Sequence, residues 1–214
     1  MCIRDSYATV LIGEQCWFAE NLRSENYENG DAIPSNLSNS EWSSTFSGAM
    51  TVFGEGGSTC NENSPDGDPC DAAFSLSEYG RLYNWYAVGD ARGLCPNSWH
   101  VPSDEEWTVL TDHLGGASVA GGQMKTTYGW YDGGNGTNSS GFSGLPGGYR
   151  ADNATMFNSS GSHGYFWSSS PVGSNSWYRH LSYNVDYYNN SPVYRENNHG
   201  RRAGFSIRCI QDQE

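Results

Sequence analysis

The sequence predicts an α+β domain, on three observations. One helix start is complete: Ser103 is a good N-cap, Glu106 closes a capping box three residues on, and Trp107, Leu110 and Leu114 recur at helical spacing before Gly115-Gly116 ends the run. The C-terminal third alternates residue classes at period two, the mark of half-buried strands. The remaining chain is long, turn-rich loop, with 27 glycines, yet 14% of all residues are aromatic, too many for a disordered segment. With 214 residues the chain is long enough for one domain that buries roughly 70% of its unfolded surface.

In chain order, Met1 to Ser6 lacks the apolar core of a signal peptide and is expected to be a non-native leader, leaving a single domain over 7–214. Tyr7 to Gly13 reads as a short apolar strand, followed by Trp17 and Phe18 as core residues. Residues 24–75 are polar and carry no helical period. Cys60 and Cys70 are expected to close their own loop, a cross-link worth about 3 kcal/mol in the chain-entropy model. Within and beside it, Asp66, Asp68 and Asp71 form either a solvated turn or a structural Ca²⁺ site, although no Glu follows at EF-hand spacing. Glu78 to Val88 reads as the first helix, with Leu82, Trp85 and Tyr86 on one face, and 104–114 as the second. Gly121 to Gly148 reads as a long structured loop, without the Gly-Lys-Ser/Thr of a phosphate cradle. Strands are expected at Tyr165–Ser170, at Trp177–Tyr183 and at Gly204–Ile210, the last with Phe205, Ile207 and Cys209 facing one way.

Charge excludes several partners. The net charge is -13 and Lys125 is the only lysine, so neither nucleic acid nor an anionic membrane finds a basic face. No stretch is apolar enough over about 18 residues to span a bilayer, so no membrane insertion is expected. Six cysteines without a Cys-x-x-Cys pair argue for disulfides and an extracellular or cell-surface location, and against a zinc knuckle.

Cys95-Pro96-x-x-Trp99-His100-x-Pro102-Ser103-Asp104-x-Glu106-Trp107 resembles the Fibrobacter succinogenes major paralogous domain, a bacterial surface module. So do Tyr79-Gly80-Arg81-Leu82-Tyr83-Asn84-Trp85, the Leu145-Pro146-Gly147-Gly148 run and Phe205-Ser206-Ile207-Arg208-Cys209. Val101 to Trp107 is more distantly similar to the formylglycine-generating-enzyme family. Both resemblances imply a C-type-lectin-like fold, here two helices flanking a small twisted antiparallel sheet with long structured loops. The resemblance also implies a Cys95–Cys209 disulfide, worth about 4.7 kcal/mol by loop length, and leaves Cys16 free and buried, or paired only in another context.

Catalysis is not expected. Formylglycine-generating relatives use two neighbouring cysteines near the C-terminus, and only Cys209 lies there. His100, His113, His163, His180 and His199 show no metal spacing and no nucleophile partner. Binding of a protein or carbohydrate ligand fits better. Between 177 and 202 the chain is dominated by Tyr, Asn, Ser, Asp, His and Arg, a paratope-like composition that also suits sugars. The candidate ligand-binding residues are Tyr178, His180, Tyr183, Asn184, Asp186, Tyr187, Tyr188, Asn189, Tyr194, Asn197 and Arg201, with Tyr149 to Asn153 as a second wall. The signatures of Ca²⁺-dependent sugar binding are absent, and no cofactor is expected. The alternative readings are a structural module of a larger surface protein and a formylglycine-generating-type oxidase.

Overall fold

The computed structural model describes residues 7–55, 60, 64–153, 156–184 and 191–213. Its elements are β1 (Thr9–Ile12), β2 (Gln15–Phe18), α1 (Asn39–Ser44), β3 (Met50–Thr51), α2 (Ala72–Tyr79), β4 (Leu82–Tyr83), α3 (Trp85–Val88), β5 (Trp99–His100) and α4 (Asp104–His113). There follow α5 (Ala120–Met124), β6 (Gly147–Arg150), β7 (Phe157–Ser160), β8 (His163–Val172), β9 (Asn175–Ser182), β10 (Val193–Glu196) and β11 (Ile210–Gln211). The architecture is α+β, with a four-stranded sheet β1-β2-β11-β5, a five-stranded sheet β10-β9-β8-β6-β7 and the pair β3-β4. All strand pairings are antiparallel except β6 with β8. Ile210 pairs with both Trp17 and His100, so the last strand closes between the first hairpin and the middle of the chain. The Cys95–Cys209 disulfide pins that closure, and Cys60–Cys70 closes the polar loop.

The helix at 103 forms as expected. Ser103 N–H donates to Glu106 Oε2 at 2.7 Å and Glu106 N–H to Ser103 Oγ at 3.1 Å, the reciprocal bonds of a capping box. Trp107, Leu110 and Leu114 are buried in one core cluster with Trp17, Phe142, Phe166 and Leu181. A second cluster gathers Phe18, Tyr83, Tyr165, Trp167, Tyr178, Phe205 and Cys209.

Four expectations are corrected. The helix expected over Glu78–Val88 is broken. Gly80 leaves α2 at φ +74°, where a Cβ would meet Asn21 and Leu22, and the next residues pair with Met50–Thr51 as β4. Asn84 then starts α3, its Oδ1 accepting from Ala87 N–H at 3.0 Å. The described residues hold five α-helices rather than two, among them α1, whose Ser38–Glu41 capping box lies in the stretch that showed no period, and α5, inside the expected loop over 121–148. Residues 204–210 are not one strand. Gly204, Phe205 and Ser206 bridge three different segments and only Ile210 and Gln211 form β11, so both sides of the run are buried, Arg208 included. Cys16 is disulfide-bonded rather than free, with a partner outside the described residues; the expected leader, residues 1–6, also lies outside them.

Candidate functional site

Period-two alternation gives the five-stranded sheet two unlike faces. On one, Phe166, Arg179, Leu181 and Val193 meet α4 and the first core cluster. On the other, His163, Tyr165 and Trp167 of β8 lie beside Tyr178, His180 and Ser182 of β9 and Tyr194 and Glu196 of β10.

The register aligns three rings in one cross-strand row, because Tyr165 and Tyr194 both oppose His180. Tyr165 and His180 stack at 4.7 Å with 6° between planes, and His180 and Tyr194 at 5.1 Å with 27°. Such cross-strand aromatic pairs stabilise a sheet by up to about 1 kcal/mol each. Tyr149 extends the row from β6, 4.9 Å from Tyr165, and His163 lies 4.8 Å from His180. Exposure rises along the row from 8% at Tyr165 to 37% at Tyr194.

The imidazoles carry the unusual electrostatics. His180 Nδ1 and Nε2, and His163 Nδ1, are buried with no hydrogen-bond partner among the described residues. The nearest charge to His180 is Glu196, with Oε2 3.7 Å from Nδ1. Burial drives the His180 pKa down to about 3, helped by repulsion from His163 and His199. Burial also lowers His163, against an opposing pull from Glu196, and lowers His199, against Asp152 and Glu196. All three are therefore neutral at pH 7, and each neutral imidazole presents one N–H donor and one acceptor. Glu196 Oε2 also accepts the Tyr178 hydroxyl at 2.8 Å, and burial with that carboxylate raises the Tyr178 pKa.

Several expected site residues are placed differently. Tyr178 is fully buried under Phe205 and His199, 4.9 and 5.6 Å away, because its position on β9 falls under the covered end of the face; it is core, not ligand surface. Arg201 is a clamp: its Nη2 donates to Asn175 O at 3.1 Å and its guanidinium lies 4.3 Å from the Trp85 ring centre. Asn197 ties loop to strand by accepting from Asn175 Nδ2 at 2.8 Å. His180 and Tyr194 do come together, stacked at the open end; Tyr183 is half-buried, 5.9 Å from His163 and packed against the first core cluster, and Asn184 is exposed. Asp186, Tyr187, Tyr188 and Asn189 lie outside the described residues. The contributions of His163 and Tyr165 were missed, although the His163-x-Tyr165-x-Trp167 alternation matches Tyr178-x-His180 and was available to find them.

Two of the three loop aspartates bond the backbone. Asp68 Oδ1 accepts from Cys70 N–H and Asp71 Oδ1 from Ala73 N–H, both at 2.9 Å, the latter capping α2. Among the described residues no group of three or more His, Cys, Asp or Glu is placed to hold a metal ion. No helix among them is long and apolar enough to cross a membrane. The family model for the Fibrobacter succinogenes major domain matches residues 10–211. No curated protein and no solved structure matches the chain.

Proposed function

This chain belongs to the Fibrobacter succinogenes major domain family, and we propose that it is a non-catalytic binding module, recognising a protein or carbohydrate ligand at the open end of the tyrosine–histidine face. The observation that carries this reading is the Tyr165–His180–Tyr194 row, which runs from core to solvent beside imidazole nitrogens that no described residue satisfies. Leaving buried polar atoms unpaired costs about 1–3 kcal/mol each. Tyr194 supplies a flat apolar surface, 37% exposed.

The engagement of Cys209 with Cys95 supports a non-catalytic role over an oxidase that needs a free thiol pair. We also take the fold to be C-type-lectin-like, in keeping with the closure of β11 onto the first hairpin. The domain belongs, on this reading, to a larger secreted or surface-displayed protein. The disulfides fit such an oxidising location.

Glycan-array and pull-down binding, compared between the native chain and a variant with Tyr187, Tyr188 and Tyr194 changed to Ala, tests the assignment. Loss of at least about tenfold in affinity for each ligand found is expected. Full affinity in the triple variant would move recognition elsewhere.

A further inference from the structure

Two arginines are buried here without an ion pair among the described residues, and their surroundings differ. Arg208, 0% exposed, is saturated by oxygens: Nε donates to Asn21 Oδ1 at 2.7 Å, Nη1 to the carbonyls of Phe18 and Phe142, and Nη2 to Ser143 O at 2.7 Å. Arg150, 3% exposed, is not. Its Nη2 donates to Leu37 O at 3.2 Å and Asn39 Oδ1 at 3.1 Å, while Nε is buried with no acceptor among the described residues. Trp42 and Phe157 hold the guanidinium in place, with ring centres 4.3 and 5.4 Å away. Burial lowers its pKa to about 10, with Glu55 the one group pulling it back. Arginines this deeply buried are ordinarily paired, since an uncompensated buried charge is costly.

Arg150 lines a cleft of about 350 Å³, and Glu41 and Glu55 line the same cleft. Among the described residues each carboxylate is bonded through Oε2 alone. Glu41 Oε2 accepts from the Ser38 amide at 2.8 Å and hydroxyl at 2.6 Å; Glu55 Oε2 accepts from Val52 N–H at 3.0 Å and Thr51 Oγ1 at 2.8 Å. Oε1 of each takes no hydrogen bond from a described residue. A simple anion would meet two carboxylates in this cleft, and a simple cation would meet a guanidinium lacking its counterion. A molecule carrying both charges complements all three groups.

We propose that this cleft binds a small zwitterion of the α-amino-acid class, its carboxylate on the Arg150 guanidinium and its ammonium on Oε1 of Glu41 and of Glu55. The site is separate from the tyrosine–histidine face and stands or falls apart from it. The volume admits a single small molecule, and the clamped guanidinium pays little ordering entropy on binding.

Calorimetric titration of the full chain with L-alanine, acetate and methylammonium tests it. L-Alanine is expected to bind, with acetate and methylammonium each at least about tenfold weaker. Glu55→Gln, an isosteric change at a partly exposed residue, should weaken L-alanine by about tenfold and leave acetate no weaker. Arg150→Lys should abolish L-alanine binding in protein whose circular dichroism is native. Acetate binding as tightly as L-alanine, an unchanged L-alanine affinity in Glu55→Gln, or no heat with millimolar L-alanine would each overturn the proposal.

Discussion

The two faces of the five-stranded sheet treat polar groups in opposite ways. On the helix face every charge finds a partner. Arg179, buried, donates to Asp104 Oδ1 at 2.6 Å, to Asp104 O at 2.9 Å and to Thr108 Oγ1 at 3.2 Å. Arg195 reaches the same carboxylate at 2.7 Å while lying 3.5 Å from the Trp177 ring centre. One aspartate at the first turn of α4 thus locks β9 and β10 to the helix. On the other face the rings stack closely, but both ring nitrogens of His180 and Nδ1 of His163 have no hydrogen-bond partner among the described residues. Packing is close on both sides, but only the second face leaves buried imidazole nitrogens without a hydrogen-bond partner among the described residues, and that difference is what the proposed binding role rests on.

The comparison can be broken most severely at Asp104. Asp104→Ala leaves the Arg179 charge buried and unpaired, and should cost about 3–5 kcal/mol in denaturant unfolding; a loss near zero would mean that the helix face is not held by this pair. His180→Phe should do the reverse on the other face. It keeps a planar ring in the row and removes two unsatisfied nitrogens, so a gain of about 1–3 kcal/mol is expected, together with weaker ligand binding. The variant should also resist acid better. Because the folded His180 pKa, about 3, lies below the unfolded value near 6.5, the unfolded chain binds the extra proton between those limits. Native stability is therefore lost as pH falls through that window, and unfolding curves at pH 7 and pH 4 should diverge less in His180→Phe. Arg195→Ala is the mildest test. It removes an exposed partner of Asp104 and leaves Arg179 in place, so about 0.2–1 kcal/mol is expected. A larger loss would show that stacking on Trp177 also holds β10 down.

His100 shows the opposite titration. Its ring bridges Glu106 Oε1 at 2.8 Å and Asp212 Oδ1 at 2.6 Å, and the hydrogen bond to Glu106, joined by that to Asp212, raises its pKa against the opposing effect of burial. That tie is fully present below the unfolded pKa and is lost as pH rises through the raised one. His100 and His180 thus shift in opposite directions because two carboxylates hydrogen-bond the first ring, whereas burial dominates at the second.

Local signals were legible wherever chemistry and geometry sit within a few residues of each other. The Ser103–Glu106 capping box and the aromatic core positions Trp17, Phe18 and Trp107 follow from their neighbours alone, and the strands at 165 and 177 follow from alternation. The same logic was available at Ser38–Glu41 and at the Asn84 cap and was overlooked. The helix expected over 78–88 failed because its aromatic spacing is equally served by a strand and a short helix, and the choice fell to pairing with Met50 and Thr51, far away in sequence.

The site shows the same division. Which residues are aromatic and polar, how they alternate, and which cysteines close the chain are properties of the sequence, since side-chain period and family pattern are local. Which tyrosine is core and which is surface was decided by tertiary structure. Tyr178 and Tyr194 lie on one face of neighbouring strands and differ only in whether the segment carrying His199 and Phe205 folds over them. Burial depends on what a distant stretch of chain covers, and no local pattern carries that.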